Sequence, residues 1–124
     1  MIKNRPVNLA LTTLKFPIMA IVSILHRMSG LLLAFLIPAF IFTLAFSLRS
    51  EDSFNSIHSY LTNPLCKIMM WGFLSALLYH LLAGVRHMIM DFGFGESVCG
   101  ATISSWFLFI LAAFVSVLIG VWLW

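Results

Sequence analysis

Charge is what this chain of 124 residues has least of: 7 Lys and Arg, 4 Asp and Glu, 9% of the sequence in all. A soluble domain of this size needs far more polar surface, so the shortage argues against that class. Cysteine is nearly absent as well. Cys66 and Cys99 are separated by 33 positions and match no metal or redox spacing, which reads as two inert thiols. Two thiolates also fall short of the roughly four ligands that an iron–sulfur cluster takes. No flavin-binding pattern is present. The net charge of +3 is too small to point to nucleic acid and reads as membrane topology instead. The N-terminal stretch MIKNRPVNLALTTLKFP is basic, yet no short apolar core with a small-residue cleavage site follows it. It is also too short, and too poor in Arg and Ser, for a transit peptide. The first apolar segment is therefore expected to act as its own insertion signal, with a bacterial inner membrane as the simplest address.

What is abundant is hydrocarbon. The chain is 62% hydrophobic, with 12 Phe and a mean hydropathy of +1.08. A helix needs roughly 20 apolar residues to cross the hydrocarbon core of a bilayer. Three segments qualify, at about residues 21–48, 65–90 and 103–124, after an N-terminal segment 1–20, and no repeat or second domain interrupts them. The first contains the uncharged run Met28 to Leu48 and is expected to begin near Pro17, because proline suits a first helical turn. Pro38 lies mid-span, where a bend is expected and tolerated. The second has Lys67 at one end and Arg86 at the other. The third has no charge, with Trp106 near one end and Trp122 and Trp124 at the other as interfacial anchors. The connections, Arg49 to Pro64 and Asp91 to Thr102, read as loops, and EDSFNS as a solvated turn. Lys3, Arg5, Lys15, Arg27 and Arg86 fall on one side of the membrane, Arg49 and Lys67 on the other. The positive-inside rule then puts the N-terminus in the cytoplasm and the C-terminus outside.

Ionisable groups at membrane depth are costly, which makes each a functional candidate. Ser23, His26 and Arg27, in the stretch SILHRMSG, are spaced i, i+3, i+4 and share one helix face. Arg27 could simply reach out to lipid phosphate, or the face could hold an anion or a polar ring. His80 lies six residues before Arg86, about 9 Å deeper at ~1.5 Å per residue. It shares an i, i+4 stripe with Gly72, Ala76 and Gly84, and Ala83 lies beside it. Small residues permit close helix packing. They also leave room for a flat macrocycle with the imidazole as axial ligand. His87 is on the same face two turns away, too far along the helix to serve the same iron. His58, in the outer connection, reads as a surface residue.

RPVNLALTTLKFPIMAIVSILHRMS, from Arg5 to Ser29, resembles the first signature of the cytochrome b membrane-anchor subunit of succinate dehydrogenase. HLLAGVRHMIMDFG, from His80 to Gly93, resembles the second signature of that family. The pair has the family's order and spacing and covers essentially the whole chain. The resemblance implies an all-α membrane protein whose three transmembrane helices join a multi-subunit helical bundle. It implies partners: a second small membrane-anchor subunit, an iron–sulfur subunit, a flavoprotein subunit and membrane lipid, with no nucleic acid. By the same resemblance, His80 matches the axial ligand of heme b, shared with a histidine of the second anchor. His26 matches a residue near the heme propionates, and Ser23 and Arg27 match the ubiquinone pocket. His87 and Asp91 belong to the second signature without a clear role. Such a subunit would help quinone take up two electrons and two protons, with electrons arriving from the iron–sulfur partner. Arg27 would supply positive charge where a reduced quinone oxygen develops negative charge. The proton donor is expected from a tyrosine or acid of a neighbouring subunit, since Tyr79 and Asp91 are the only nearby candidates in this chain. Two other readings stay open: a helical assembly or anchor subunit without heme, and the anchor of a fumarate reductase.

Overall fold

The computed structural model describes residues 16–124, so Lys3, Arg5 and Lys15 of the charge pattern lie outside the described residues. Four helices follow one another: α1 (Ile18–Ser47), α2 (Glu51–Leu61), α3 (Pro64–Asp91) and α4 (Val98–Leu123). α1, α3 and α4 are long and apolar enough to cross a membrane. The described residues form an all-α fold, as the three spans and the resemblance imply.

The helix ends follow local chemistry. Pro17 stands just before α1 in an extended conformation. Pro38 falls inside α1, which continues through it even though proline brings no N–H for the carbonyl one turn back. The Asn63 side chain accepts the Leu65 N–H at the start of α3, with Pro64 in the first turn, where its missing N–H costs nothing. Ser97 caps α4 by accepting the Gly100 N–H, so α4 starts at Val98, before the apolar stretch proper. Between α3 and α4 the Phe94 N–H reaches back to the Ile89 carbonyl across Gly93, whose φ of 87° is left-handed and suits glycine.

One connection differs from the sequence expectation. The stretch read as a solvated turn within a loop forms α2. Ser50 accepts the Ser53 N–H, and Glu51 and Asp52 occupy the first turn, where negative charge complements the helix dipole. His58 lies on this helix, exposed, with its ring stacked near Phe54.

α3 is the central element and packs against both α1 and α4. Toward α4 it presents Lys67, Trp71, Ser75, Tyr79 and Arg86, spaced one or two turns apart. The Lys67 ammonium donates to the Leu123 carbonyl at 2.9 Å, the Trp71 indole N–H to the Ser116 carbonyl at 2.8 Å, and the Ser75 and Ser116 hydroxyls meet at 2.7 Å. Gly120 gives Trp71 room: a Cβ there would lie 3.3 Å from the indole nitrogen. The apolar core is small and central, formed by Val22 of α1, Ala83 of α3 and Leu108 of α4. Large apolar side chains such as Phe35, Phe42, Phe107 and Val121 point outward. That is the reverse of a soluble domain and suits a lipid or partner environment, where outward hydrocarbon has no reason to hide.

Candidate functional site

The functional candidates gather where α1 crosses α3. On α1, Val22, His26, Ser29 and Leu33 recur at intervals of three and four and make the inward seam; Val22 and Leu33 are buried. On α3 the facing residues are His80, Ala83, Gly84 and His87. The His26 ring stacks on His80, with centroids 4.2 Å apart and planes within 15°, and on His87 at 5.1 Å and 28°. His80 and His87 are about 10.5 Å apart along the helix at ~1.5 Å per residue. His26 therefore fills the gap between them, and the three imidazoles form a row along the seam.

Two glycines make this row possible. Gly84 lies under His26, where a Cβ would be 3.4 Å from Nε2. Gly30 lies under His80, where a Cβ would be 2.9 Å from Cε1. The stripe read from the sequence is thus not one seam. Gly84 clears an imidazole, whereas Gly72 has nothing near it within this chain.

The polar contacts of His80 fix its orientation. Nδ1 lies 3.1 Å from the His26 carbonyl and 3.1 Å from the Ser29 hydroxyl oxygen. A carbonyl can only accept, so the contact with His26 puts the proton on Nδ1. In the neutral ring Nε2 is then the nitrogen with the lone pair, which is the usual arrangement of a metal-ligating histidine whose other nitrogen donates to a carbonyl. His87 Nδ1 likewise lies 2.7 Å from the Ala83 carbonyl one turn back.

The remaining predicted residues are placed as follows. Ser23 is half-buried one turn before His26, and Arg27 is exposed beside it, outside the imidazole row. Asp91 is exposed and ends α3. The Tyr79 hydroxyl donates to the Val22 carbonyl at 3.1 Å, so it ties α3 to α1. Cys66 and Cys99 are free thiols, the first half-buried and the second exposed. Among the described residues no group of three or more His, Cys, Asp or Glu side chains could hold a metal ion.

Two residues carry more than the sequence suggests. Ser29 ends the quoted signature without a role, yet its hydroxyl donates to the His26 carbonyl at 2.9 Å and touches His80; its i+3 relation to His26 was the available signal. Arg86, read as an interfacial cation, is instead buried against α4. Its Nε donates to the Ser104 hydroxyl at 2.9 Å, and Nη2 donates to the Ala101 carbonyl and the Ser105 hydroxyl at 2.9 and 3.0 Å. The adjacent Ser104 and Ser105, polar in a largely apolar span, were the signal for this clamp. Beside it a largely apolar cavity of about 400 Å³ opens between Leu82, Val85, Ile89, Phe107 and Leu108.

Three helices long and apolar enough to span a membrane, two of them packing a row of imidazoles between them, define a multi-pass helical membrane protein. The chain belongs to the succinate dehydrogenase/fumarate reductase transmembrane subunit family, whose model matches residues 1–119. It is similar to the succinate dehydrogenase cytochrome b556 subunit of Coxiella burnetii, 45% identical over 122 residues that cover 98% of each chain. The protein of the same description from Rickettsia typhi is 32% identical over 95% of this chain and 92% of its own length. That from Paracoccus denitrificans is 34% identical over 77% and 73% respectively.

Proposed function

We propose that this chain is the heme b-binding anchor subunit of a succinate:ubiquinone oxidoreductase. It would attach an iron–sulfur and a flavoprotein subunit to a bacterial inner membrane and share its heme with a second small anchor. The observation that carries the reading is the engagement of His80 through Nδ1, which leaves Nε2 free at membrane depth. The donor set suits a heme: the His80 imidazole of this chain would supply one ligand to the iron, and a histidine of the second anchor would supply another. When bound, the heme supplies a one-electron redox centre within the membrane. What this chain's residues do is hold and orient. Gly30 seats the His80 ring, the α1 backbone holds its proton, and His26, beside it, is suited to the propionate side.

Ser23 and Arg27 are the proposed quinone contacts. They occupy one face of α1, one turn apart, with His26 between them in sequence. Ser23 can donate its hydroxyl hydrogen to a quinone carbonyl oxygen. The Arg27 guanidinium favours negative charge developing on that oxygen as two electrons and two protons are taken up. Reduction at this end requires electrons from the docked iron–sulfur partner, so the N-terminus is assigned to the cytoplasm and the C-terminus to the periplasm, in line with the basic residues.

His80→Ala in the co-expressed complex tests the reading. The low-spin heme spectrum should be lost or strongly perturbed, and His26→Ala should alter it more mildly, because a propionate contact is not an axial bond. An unchanged spectrum at full heme content in His80→Ala would leave this chain as an anchor without that ligand.

A further inference from the structure

Resting on the reading of His80 as an axial ligand, we propose that Ser29 is a positioning residue that sets the redox potential of the heme. It does so by accepting the Nδ1 proton of His80. The contact pattern assigns each hydrogen. The His26 carbonyl has no proton to give, so His80 must be the donor in their 3.1 Å contact. The Ser29 hydroxyl spends its own hydrogen on the same carbonyl at 2.9 Å. Its oxygen therefore turns lone pairs toward Nδ1, 3.1 Å away. The opposite arrangement, with Ser29 donating to a bare Nδ1, would press the imidazole lone pair against the carbonyl oxygen at 3.1 Å, which is repulsive. The Nδ1 proton is thus shared between two acceptors one helical turn apart on α1, and Gly30, lacking a Cβ, lets the ring edge lie close enough to α1 to reach both.

The consequence is electronic. A proton drawn off Nδ1 makes Nε2 a stronger donor, because the imidazole takes on anionic character. A stronger donor favours the ferric over the ferrous state and lowers the potential. Ser29 is therefore a control on the electron affinity of a centre it never touches. Deleting the hydroxyl leaves the His26 carbonyl as sole acceptor and weakens the donor.

The test is a redox-titrated visible spectrum of the purified four-subunit complex carrying Ser29→Ala, Ser29→Thr or Ser29→Cys, alongside His80→Ala. Ser29→Ala should retain a full complement of low-spin heme and shift its ferric-to-ferrous balance toward ferrous by up to about tenfold. At 59 mV per tenfold for one electron, that is a rise of up to about 59 mV. Ser29→Thr, which keeps the hydroxyl, should return the potential to its original value. A merely structural serine would lose heme or stability without moving the potential of the heme that remains. Should Ser29→Ala fail to assemble, Ser29→Cys carries the test: its thiol is a weaker acceptor, so a smaller rise is expected. An unshifted potential in whichever of these two variants assembles, with the spectrum abolished in His80→Ala, overturns the role of Ser29 alone. A normal spectrum in His80→Ala overturns the ligand assignment and this inference with it.

Discussion

Replacing Gly30 by alanine adds one methyl group at the tightest point of the imidazole row. The new carbon would lie 2.9 Å from His80 Cε1. Carbon atoms rest at about 3.5 Å or more, so the ring must retreat by roughly 0.6 Å or α1 must shift by as much. A movement of that size takes the Nδ1 contacts from 3.1 Å to as much as about 3.7 Å, at or beyond the edge of hydrogen-bonding range. Two effects then oppose each other in stability. Overpacking costs about 1–3 kcal/mol, whereas alanine gains ~1 kcal/mol over glycine in a helix interior. The net is a destabilisation of about 0–2 kcal/mol, and the sharper damage should appear in the ligand. The assay is the low-spin heme spectrum and its midpoint in the assembled complex, with Gly84→Ala as the comparison. At Gly84 the added carbon would be 3.4 Å from His26 Nε2, a slight crowding that a small adjustment relieves. Gly30→Ala should perturb the heme band and potential clearly, and Gly84→Ala barely. Equal behaviour of the two, or a stronger effect at Gly84, would refute the claim that Gly30 seats His80.

Arg86→Met should destabilise the α3–α4 pairing by about 2 kcal/mol, from three interhelical hydrogen bonds at ~0.6 kcal/mol each in a membrane protein. The Ser104 and Ser105 hydroxyls keep their own bonds to the Ala101 carbonyl, so no orphaned group adds to that, and thermal denaturation of the detergent-solubilised complex would show it; an unchanged midpoint would argue against the clamp. Ser23→Ala and Arg27→Leu should preserve succinate oxidation with a soluble dye acceptor while lowering quinone reduction and sensitivity to quinone-site inhibitors. The Ser23 loss should amount to about 0.5–1.5 kcal/mol and the Arg27 loss should be larger; normal quinone reduction in both, with assembly intact, moves the site elsewhere. Reporter fusions should find the N-terminus in the cytoplasm and the C-terminus in the periplasm, and a periplasmic signal at residue 1 would invert the topology.

The spans were legible because their composition admits no other environment, and the polar residues within them were conspicuous for the same reason. The details that hold those residues were less legible. The i+7 relation of His80 and His87 could be read along one helix, but nothing in the spacing told that a ring from α1 would slot between them. The grip on His80 comes from a backbone carbonyl, and every residue has one. Arg86 was counted toward topology by its charge, since charge is what a sequence displays; whether a guanidinium turns toward water or toward the next helix depends on acceptors that lie 15 to 19 positions further on. α2 escaped notice because it is polar, although its capping serine and the acidic pair behind it are ordinary start signals.

The stitching of the three spans is lopsided. Lys67, Trp71, Ser75 and Arg86 fasten α3 to α4 along nearly the whole of their length. α1 is held to α3 by fewer hydrogen bonds, from the Tyr79 hydroxyl and His80, together with the stacked rings of His26 on His80 and His87 and of Phe40 on Phe73. The hairpin of α3 and α4 thus behaves as a frame, and α1 as a tongue slid against it. His80 rides on the frame; Ser23, His26, Arg27 and Ser29 ride on the tongue. A displacement of the tongue by a fraction of a turn would loosen the imidazole and carry the proposed quinone contacts with it. On the proposed function, heme affinity and quinone affinity should accordingly rise and fall together when a detergent, a lipid or a neighbouring helix presses on α1.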